Sequence, residues 1–224
     1  MSLFDRVMIW ITQNFCKIFT LFVFKVFYRT KYINSHNIPK KGGFIMCPNH
    51  SSFFDPPLIG SVTFKRIFRF MARDTLFKKS FGGTMIKWMG AFPVKRGTVD
   101  RKSWDTLVKL VQNGEAVMLF PEGTRTENGE IQDGKPGAGM LIYKARARVV
   151  PVYAHGVYEA WPKGQKRPSL FKKIYVIYGE PMDFTEYFNM EESKEVYVKI
   201  TELVMARIRS LKAELMAMLE KGEK

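Results

Sequence analysis

The stretch GFIMCPNHSSFFDPP, residues 43–57, decides how this chain folds. Residues 43–47 are a short apolar run that predicts a buried β-strand, and the strand ends on a turn around His50. Asp55 followed by Pro56 is typical of a helix start, since Asp is a common N-cap and Pro suits the first helical position. The stretch therefore predicts a strand, a turn and a helix in succession.

His50 and Asp55 within this stretch can form a base and its orienting partner. A carboxylate that accepts one ring N–H fixes the tautomer and leaves the other nitrogen free to take a proton. In a regular helix, residues five apart lie about 140° apart around the axis and do not meet, so the turn has to bring them together. The alternative is that Asp55 only caps a helix and His50 is a loop histidine.

A second motif, FPEGTR, occupies residues 120–125. Gly123 permits close approach of an anion to backbone N–H groups, and Arg125 offers a planar fork that matches phosphate oxygens. Glu122 is expected either to hold that guanidinium or to accept a hydrogen bond from a substrate hydroxyl, and Thr124 lies between these groups. The alternative is a turn with a surface ion pair.

Two further cations are candidate phosphate ligands. Arg96 ends the run GAFPVKR, residues 90–96, and Lys135 lies in the glycine-containing loop at residues 128–137. Either residue can instead be a solvated surface cation.

Apolar runs alternate with helical patterns along the rest of the chain. Strands are predicted at residues 67–72, 116–120, 149–153 and 173–178, with a strand or loop at 90–96, and helices at 57–64, 101–112, 139–147 and 193–220, with a short one ending at Met89. This order predicts an α/β fold with a mostly parallel central sheet flanked by helices. His50 and the FPEGTR motif both follow strands, so they are expected to meet at the ligand-binding edge of the sheet.

The composition limits which classes of binding partner are expected for the protein. The 224 residues include 36 Lys and Arg against 21 Asp and Glu, a net charge of +15, which implies an anionic partner. The basic residues are dispersed and no nucleic-acid-binding signature is recognisable, so no nucleic acid partner is expected. Two distant cysteines indicate a reducing compartment, and the three unclustered histidines argue against a structural zinc site.

The first 30 residues form a distinct segment, which we separate from an α/β domain at residues 31–224. Lys17 and Lys25 interrupt the segment, and no uncharged run reaches the roughly 18 residues of a spanning helix. Phe4, Phe15 and Phe22 belong to an apolar stripe at helical spacing, so the segment is expected to be an amphipathic helix, or helix pair, at a membrane interface. The alternative is a helix whose apolar face packs on the domain core. Residues 30–41 are expected to be a linker.

Four motifs in order resemble the 1-acylglycerol-3-phosphate acyltransferase family, a group of glycerolipid acyltransferases. They are residues 49–55 (N-H-x-S-x-x-D), 90–96 (G-x-x-x-x-x-R), 120–125 (FPEGTR) and 150–152 (V-P-V), and the resemblance covers about residues 40–180. Residues 72–77 differ from the lysine–glutamate version usual in the family, which bears on substrate choice.

The resemblance implies an activity and a set of roles. His50 would be the general base and Asp55 its orienting partner, while Arg96, Arg125 and Lys135 would hold the phosphate and Gly123 would permit close backbone approach. The acceptor would be lysophosphatidic acid, the donor acyl-CoA or acyl-carrier protein, and the product phosphatidic acid, with no metal or other cofactor. The enzyme would act at an anionic membrane surface, as a peripheral or monotopic protein on the cytoplasmic face of the cell membrane.

Two other functions fit part of the sequence. A related acyltransferase with another glycerolipid or lyso-lipid acceptor would carry the same motifs. A non-catalytic protein that binds anionic lipid would account for the charge and the N-terminus, but not for His50 and Asp55 beside FPEGTR.

Overall fold

The protein folds around one mixed sheet, as seen in a computed structural model that describes residues 3–77, 81–94 and 101–222. Within these residues seven strands have the order β1-β7-β6-β2-β5-β3-β4. Five neighbouring strands from β6 to β4 are parallel, β7 is antiparallel to β6, and β1 is parallel to β7. The strands are β1 Lys31–Ile33, β2 Phe44–Pro48, β3 Phe68–Arg73, β4 Ala91–Val94, β5 Ala116–Met118, β6 Arg148–His155 and β7 Tyr175–Tyr178. The predicted α/β fold with a mostly parallel sheet is confirmed.

Helices connect the strands and cover both faces of the sheet. They are α1 Leu3–Tyr28, α2 Asp55–Gly60, α3 Phe81–Trp88, α4 Arg101–Gln112, α5 Pro136–Ala145, α6 Val157–Ala160, α7 Thr185–Phe188 and α8 Lys194–Glu220, with 3-10 turns at Ser35–Asn37 and Asp74–Phe77. Helix α4 has the predicted bounds, whereas α2 begins at Asp55 and is shorter than the predicted helix at 57–64. The expected linker at residues 30–41 was wrong in part, because it contains β1, which pairs with β7.

The side chains of each strand alternate between two apolar cores, as the two-residue period of a strand requires. On β2, Phe44 and Met46 join a cluster with α1 and α2, whereas Ile45 and Cys47 join a cluster with α4, α5 and α8. Because both faces are buried, the strands carry continuous apolar runs. The carboxyl ends of β2 and β5, which pair in register, therefore emerge side by side at one edge of the sheet.

Helix α1 is one continuous helix, and its orientation on the domain is the reverse of a soluble amphipathic helix. Its buried side is polar in the middle, at Gln13, Lys17 and Thr20, and apolar toward the two ends, at Ile9, Phe24 and Tyr28. Its outer side exposes ten large apolar residues: Leu3, Phe4, Val7, Trp10, Ile11, Phe15, Ile18, Phe19, Phe22 and Val26. The helix thus packs on the domain core through Phe24 and Tyr28, whereas the predicted apolar stripe with Phe4, Phe15 and Phe22 is exposed.

Gln13 and Lys17 on the buried side of α1 bind backbone groups near the amino ends of β3 and β4. Gln13 Nε2 donates to the carbonyl oxygens of Phe68, at 2.7 Å, and Met89, at 3.0 Å. Lys17 Nζ donates to the carbonyl oxygen of Arg66 at 2.5 Å. By length and a mean hydropathy of 1.6, α1 also qualifies as a helix able to cross a bilayer, in contrast to the sequence argument. The domain thus occupies Gln13 and Lys17 of α1, while the apolar side of the helix is exposed.

Candidate active site

The turn after β2 brings His50 and Asp55 into contact. His50 Nδ1 lies 2.8 Å from Asp55 Oδ2. Asn49 anchors the start of the turn to β6, because its side chain accepts from the N–H of Ala154 at 2.8 Å and donates to the carbonyl oxygen of Ala154 at 3.2 Å. The side-chain amide thus continues the pairing of β2 with β6 beyond the last strand residue. The predicted contact between the histidine and the carboxylate is present.

Asp55 is held as an acceptor by the same turn. Its Oδ2 accepts from the backbone N–H groups of Ser51 and Ser52, each at 2.8 Å, in addition to the contact with His50. Asp55 is the first residue of α2 and its side chain is fully buried. Because Oδ2 accepts from both backbone N–H groups, it is an acceptor toward the ring as well, so Nδ1 of His50 carries the ring hydrogen that points at it. Nε2 is then the nitrogen that can accept a proton.

The ring of His50 is also fixed from the side. It stacks on Phe120 with ring centroids 3.8 Å apart and an interplanar angle of 24°. The His50 side chain remains 15% exposed, so it is restrained but reachable. Phe120 is the first residue of the FPEGTR motif, which places the two motifs in direct contact.

Glu122 joins the two loops of the site. One carboxylate oxygen accepts from the backbone N–H of His50 at 2.8 Å, and the other accepts from the N–H of Gln132 at 3.0 Å and from its side chain at 3.2 Å. A further bond runs from the N–H of Thr126 to the carbonyl oxygen of His50 at 2.9 Å. Burial raises the pKa of Glu122, while these hydrogen bonds and His50 lower it. Each carboxylate oxygen of Glu122 therefore already accepts a hydrogen bond that holds the two loops together.

Arg125 lies beside the His50 turn. Its guanidinium carbon is 3.6 Å from the ring centroid of Phe53, which belongs to that turn. Such a cation–π contact ties the guanidinium of Arg125 to the turn that carries His50. Arg125 is half-buried, whereas its neighbour Thr124 is exposed.

Gly123 and Lys135 lie next to each other. Gly123 has φ +72°, and a Cβ at this position would come 3.4 Å from Cγ of Lys135. The Lys135 N–H donates to the carbonyl oxygen of Pro121 at 2.8 Å, which fixes the start of α5 against the FPEGTR loop. The side chain of Lys135 is exposed. Of the cations predicted from the sequence, Arg125 thus belongs to the FPEGTR loop and Lys135 packs against it.

Arg96 lies outside the described residues. Strand β4 ends at Val94, at the same edge of the sheet as the parallel strand β2. The role of Arg96 in phosphate binding therefore stays a prediction.

Several residues that shape the site were missed by the sequence argument. Phe53 and Phe120 lie inside the recognised motifs, so their position was a usable signal for a role in packing the site. Gln132 and Trp161 carry no such signal. The Ser52 hydroxyl donates to the carbonyl oxygen of Trp161 at 2.8 Å, which brings a distant loop to the turn.

An apolar pocket adjoins the start of α2. It lies between α1 and the sheet and is lined by Cys16, Pro56, Pro57, Phe68, Phe70 and Met118, with Gln13, Lys17, Thr20, Gly60 and Met89 completing the wall. Pro56 follows Asp55 directly, so the pocket begins one residue from the paired carboxylate.

Comparison with known proteins agrees with this fold. The Acyltransferase family matches residues 29–155, which include both motifs of the site, and the chain belongs to this family. The chain is 33% identical over 187 residues to the 1-acyl-sn-glycerol-3-phosphate acyltransferase of Bacillus subtilis, covering 83% of this chain and 89% of the relative. The enzyme of the same name from Streptococcus pneumoniae is 26% identical over 163 residues, covering 72% and 58% of the two chains.

A solved structure has the same fold over nearly the whole chain. It is the 1-acyl-sn-glycerophosphate acyltransferase of Thermotoga maritima, with a TM-score of 0.71, 26% identity and coverage of 95% of this chain and 84% of that one. The resemblance identified from the four sequence motifs is therefore confirmed.

Proposed function

We propose that this enzyme transfers a fatty acyl chain from a thioester donor to the sn-2 hydroxyl of 1-acylglycerol 3-phosphate, forming phosphatidic acid. The observation that carries the proposal is the contact of 2.8 Å between His50 Nδ1 and Asp55 Oδ2, in a turn clamped to the FPEGTR loop. The names of the related enzymes supply the acceptor.

The proposed reaction is a direct acyl transfer. Nε2 of His50 takes the proton of the acceptor hydroxyl as its oxygen attacks the thioester carbonyl. The C–S bond then breaks, and the leaving thiolate takes the proton back from the imidazolium. Asp55 stabilises the imidazolium while it exists, and a positioned base of this kind contributes about 10²–10⁴-fold. The proton stays on His50 and the two reactants, so this chemistry calls for neither a metal nor a cofactor.

Arg125 and Lys135 are assigned to the acceptor phosphate, together with Arg96. The stacking of Arg125 on Phe53 ties the guanidinium to the turn that carries His50, so a phosphate bound there has a fixed relation to the base. Gly123 and Thr124 are exposed at the same loop. The N–H of Gly123 donates to the carbonyl oxygen of Phe120 at 3.1 Å, so Thr124 is the residue that offers a backbone N–H and a hydroxyl to the anion. We give Glu122 a positioning role, because its oxygens bind His50 and Gln132.

The apolar pocket next to Pro56 is the proposed site of an acyl chain. Its walls are almost entirely apolar, and it opens one residue from Asp55. A chain that lies between α1 and the sheet would have its carboxyl end near His50. The donor is acyl-CoA or acyl-carrier protein, and both present the same thioester.

Helix α1 is the proposed membrane contact. Its outward apolar side suits the boundary between headgroups and acyl chains, and the net charge of +15 suits an anionic surface. We place the enzyme on the cytoplasmic face as a peripheral or monotopic protein, since thioester donors occur there. Replacing Phe15, Phe19 and Phe22 by Ser should weaken binding to vesicles strongly. Undiminished binding would refute the assignment.

The activity is tested by thiol release from acyl-CoA and from acyl-carrier protein, with and without lysophosphatidic acid. Acceptor-dependent release is expected for the wild type, and its loss is expected for His50→Ala. His36→Ala is the matched control, because His36 is an exposed histidine in the 3-10 turn after β1. Substantial turnover by His50→Ala would refute the role of His50 as base, and absence of acceptor-dependent release from both donors would refute the activity.

A further inference from the structure

The loop between α6 and β7, residues 161–174, has an unusual charge. It contains five basic residues and no acidic one. All five side chains are exposed: Lys163, Lys166, Arg167, Lys172 and Lys173. Lys163 pairs with Glu127 at 2.7 Å, whereas no carboxylate in residues 3–77, 81–94 and 101–222 forms a salt bridge with the other four. The loop therefore presents concentrated positive charge to the solvent.

Two large apolar residues project from the same loop. Leu170 is 49% exposed and Phe171 is 75% exposed. Phe171 also has φ +62°, a conformation that a bulky residue adopts only when its surroundings impose it. A strained backbone that holds an aromatic ring out in water needs a reason, and contact with an apolar partner provides one.

The loop is fastened to the membrane helix. The N–H of Phe171 donates to the carbonyl oxygen of Phe27 at 3.1 Å, and the N–H of Ile174 donates to that of Tyr28 at 3.2 Å. The rings of Phe27 and Phe171 lie 6.3 Å apart. The apolar tip of the loop is thus continuous with the carboxyl end of α1.

The other end of the loop is fastened to the active site. Trp161 contacts Phe53 and Phe54, with ring centroids 5.6 and 5.0 Å apart, and its carbonyl oxygen accepts from Ser52. Within the loop, Trp161 Nε1 donates to the carbonyl oxygen of Gln165 at 2.9 Å. A surface bound by this loop would therefore lie between the membrane helix and the His50 turn.

We propose that residues 161–174 are a second membrane-contact surface, which binds anionic phospholipid headgroups through its basic residues and inserts Leu170 and Phe171. The combination of basic charge with an exposed apolar tip suits the boundary of an anionic bilayer. Continuity with α1 favours a lipid surface over an acidic protein. This inference rests on the membrane contact of α1 proposed above, but its readout is vesicle affinity and is independent of turnover.

The charge is tested with the double variant Lys172→Gln/Lys173→Gln of the full chain. Its control is Lys194→Gln/Lys199→Gln, which removes two exposed charges from α8, a helix that packs on the opposite face of the sheet from α1. Binding is measured to phosphatidylcholine vesicles with and without phosphatidylserine. Affinity for the anionic vesicles should fall about 30-fold in the loop variant, since each Lys near such a surface contributes roughly fivefold.

The control variant should lose much less affinity for anionic vesicles. Neither variant should change in affinity for neutral vesicles. Equal losses in the two variants would overturn the proposal, because they would show a general charge effect. Unchanged vesicle binding together with poorer use of acyl-carrier protein would also overturn it, in favour of a protein partner. If the wild type showed no acyl transfer at all, the vesicle result would still decide the proposal.

The apolar tip has its own test in Leu170→Ser/Phe171→Asn. Asn tolerates the left-handed conformation, so this variant should keep the fold, as judged by circular dichroism. Its affinity should fall for neutral and anionic vesicles alike, unlike that of the lysine variant. Wild-type affinity on both would refute insertion of the tip.

Discussion

Gln13 binds Phe68 through both backbone groups of that residue. Gln13 Nε2 donates to the carbonyl oxygen of Phe68 at 2.7 Å, and Gln13 Oε1 accepts from its N–H at 3.1 Å. A side-chain amide thus makes the pair of bonds that a neighbouring strand would make at the start of β3. It also reaches Met89, just before β4, so α1 is joined to the amino ends of both β3 and β4.

Gly90→Ala should destabilise the protein by disturbing this junction. Gly90 has φ +92°, and a Cβ there would lie 2.2 Å from Gln13 Nε2 and 2.5 Å from the carbonyl oxygen of Phe68. The matched control is Gly114→Ala, where φ is +83° but nothing lies within 4 Å of the added Cβ. We expect Gly90→Ala to lose about 1–3 kcal/mol more free energy of unfolding than the control, as overpacking does. Denaturant unfolding in mild detergent measures both, and equal losses would contradict a role for the close approach.

Asp55→Asn should lower kcat about 10²–10⁴-fold with little change in the KM of the acceptor, since it removes the charge that orients His50 and stabilises its imidazolium. Asn also cannot supply the same acceptor to the Ser51 and Ser52 N–H groups if its nitrogen faces them. Asp105→Asn, on the exposed side of α4, is the control and should retain normal turnover. Steady-state kinetics with a defined acceptor measures the change. A kcat near the wild-type value would rule out the proposed pairing.

Glu122→Gln should weaken the junction of the two active-site loops. One carboxylate oxygen accepts from both the backbone and the side-chain amide of Gln132, and an amide nitrogen at this position would face donors instead. Leaving buried donors without an acceptor costs about 1–3 kcal/mol. We expect lower thermal stability and a lower kcat, with the KM for the acceptor nearly unchanged. A rise in that KM alone would instead indicate that Glu122 binds the substrate.

Arg125→Ala should raise the KM for lysophosphatidic acid at least tenfold and that for the thioester donor much less. Arg125→Lys keeps the charge but loses the planar fork and the stacking on Phe53, so it should recover only part of the affinity. Arg148→Ala, which removes an arginine that is 71% exposed, serves as the control. Kinetics in which each substrate is varied in turn separates the two effects. Similar losses for donor and acceptor would argue against a phosphate site.

Lys17 should make stability depend on pH in an alkaline window. Burial lowers the pKa of Lys17 from 10.5 to about 8, so between these values the unfolded chain holds more protons than the folded protein. Lys17 therefore increases the free energy of unfolding as pH rises from 8 to 10.5. Unfolding of wild type and Lys17→Met across this range should show the wild type improving relative to the variant. Lys25→Met, at an exposed position of α1, should show no such trend, and a constant difference for Lys17→Met would refute the shift.

Local patterns predicted much of the fold and the central pair of the site. The run at residues 43–57 predicts β2, the turn and α2, and the bounds of α4 match because its apolar spacing is regular. The meeting of the His50 turn with FPEGTR followed from two parallel strands that end at one edge. Strand β1 was missed because it has three residues, and only its pairing with distant β7 defines it.

The orientation of α1 was not predictable from its sequence in the same way. Hydrophobic periodicity identifies two sides of a helix but not the medium that each side meets. The partners that decide the matter, the backbone groups of Arg66, Phe68 and Met89, belong to a part of the chain far from α1. The hydrogen bonds between Glu122 and Gln132 were not predictable for a similar reason. They form because the loop at Gln132 folds back onto FPEGTR, and no sequence pattern marks Gln132.

The buried residues Phe24 and Tyr28 make α1 a structural part of the catalytic domain as well as its proposed membrane contact. Truncating the N-terminus to obtain a water-soluble enzyme would therefore open the core beside α2. A soluble form suited to crystallisation is better obtained by substituting only exposed residues of α1. Phe15, Ile18 and Phe22 can be replaced by Lys, Glu or Gln. Gln13 and Lys17 should be kept, because their hydrogen bonds to backbone carbonyl groups hold the helix on the domain.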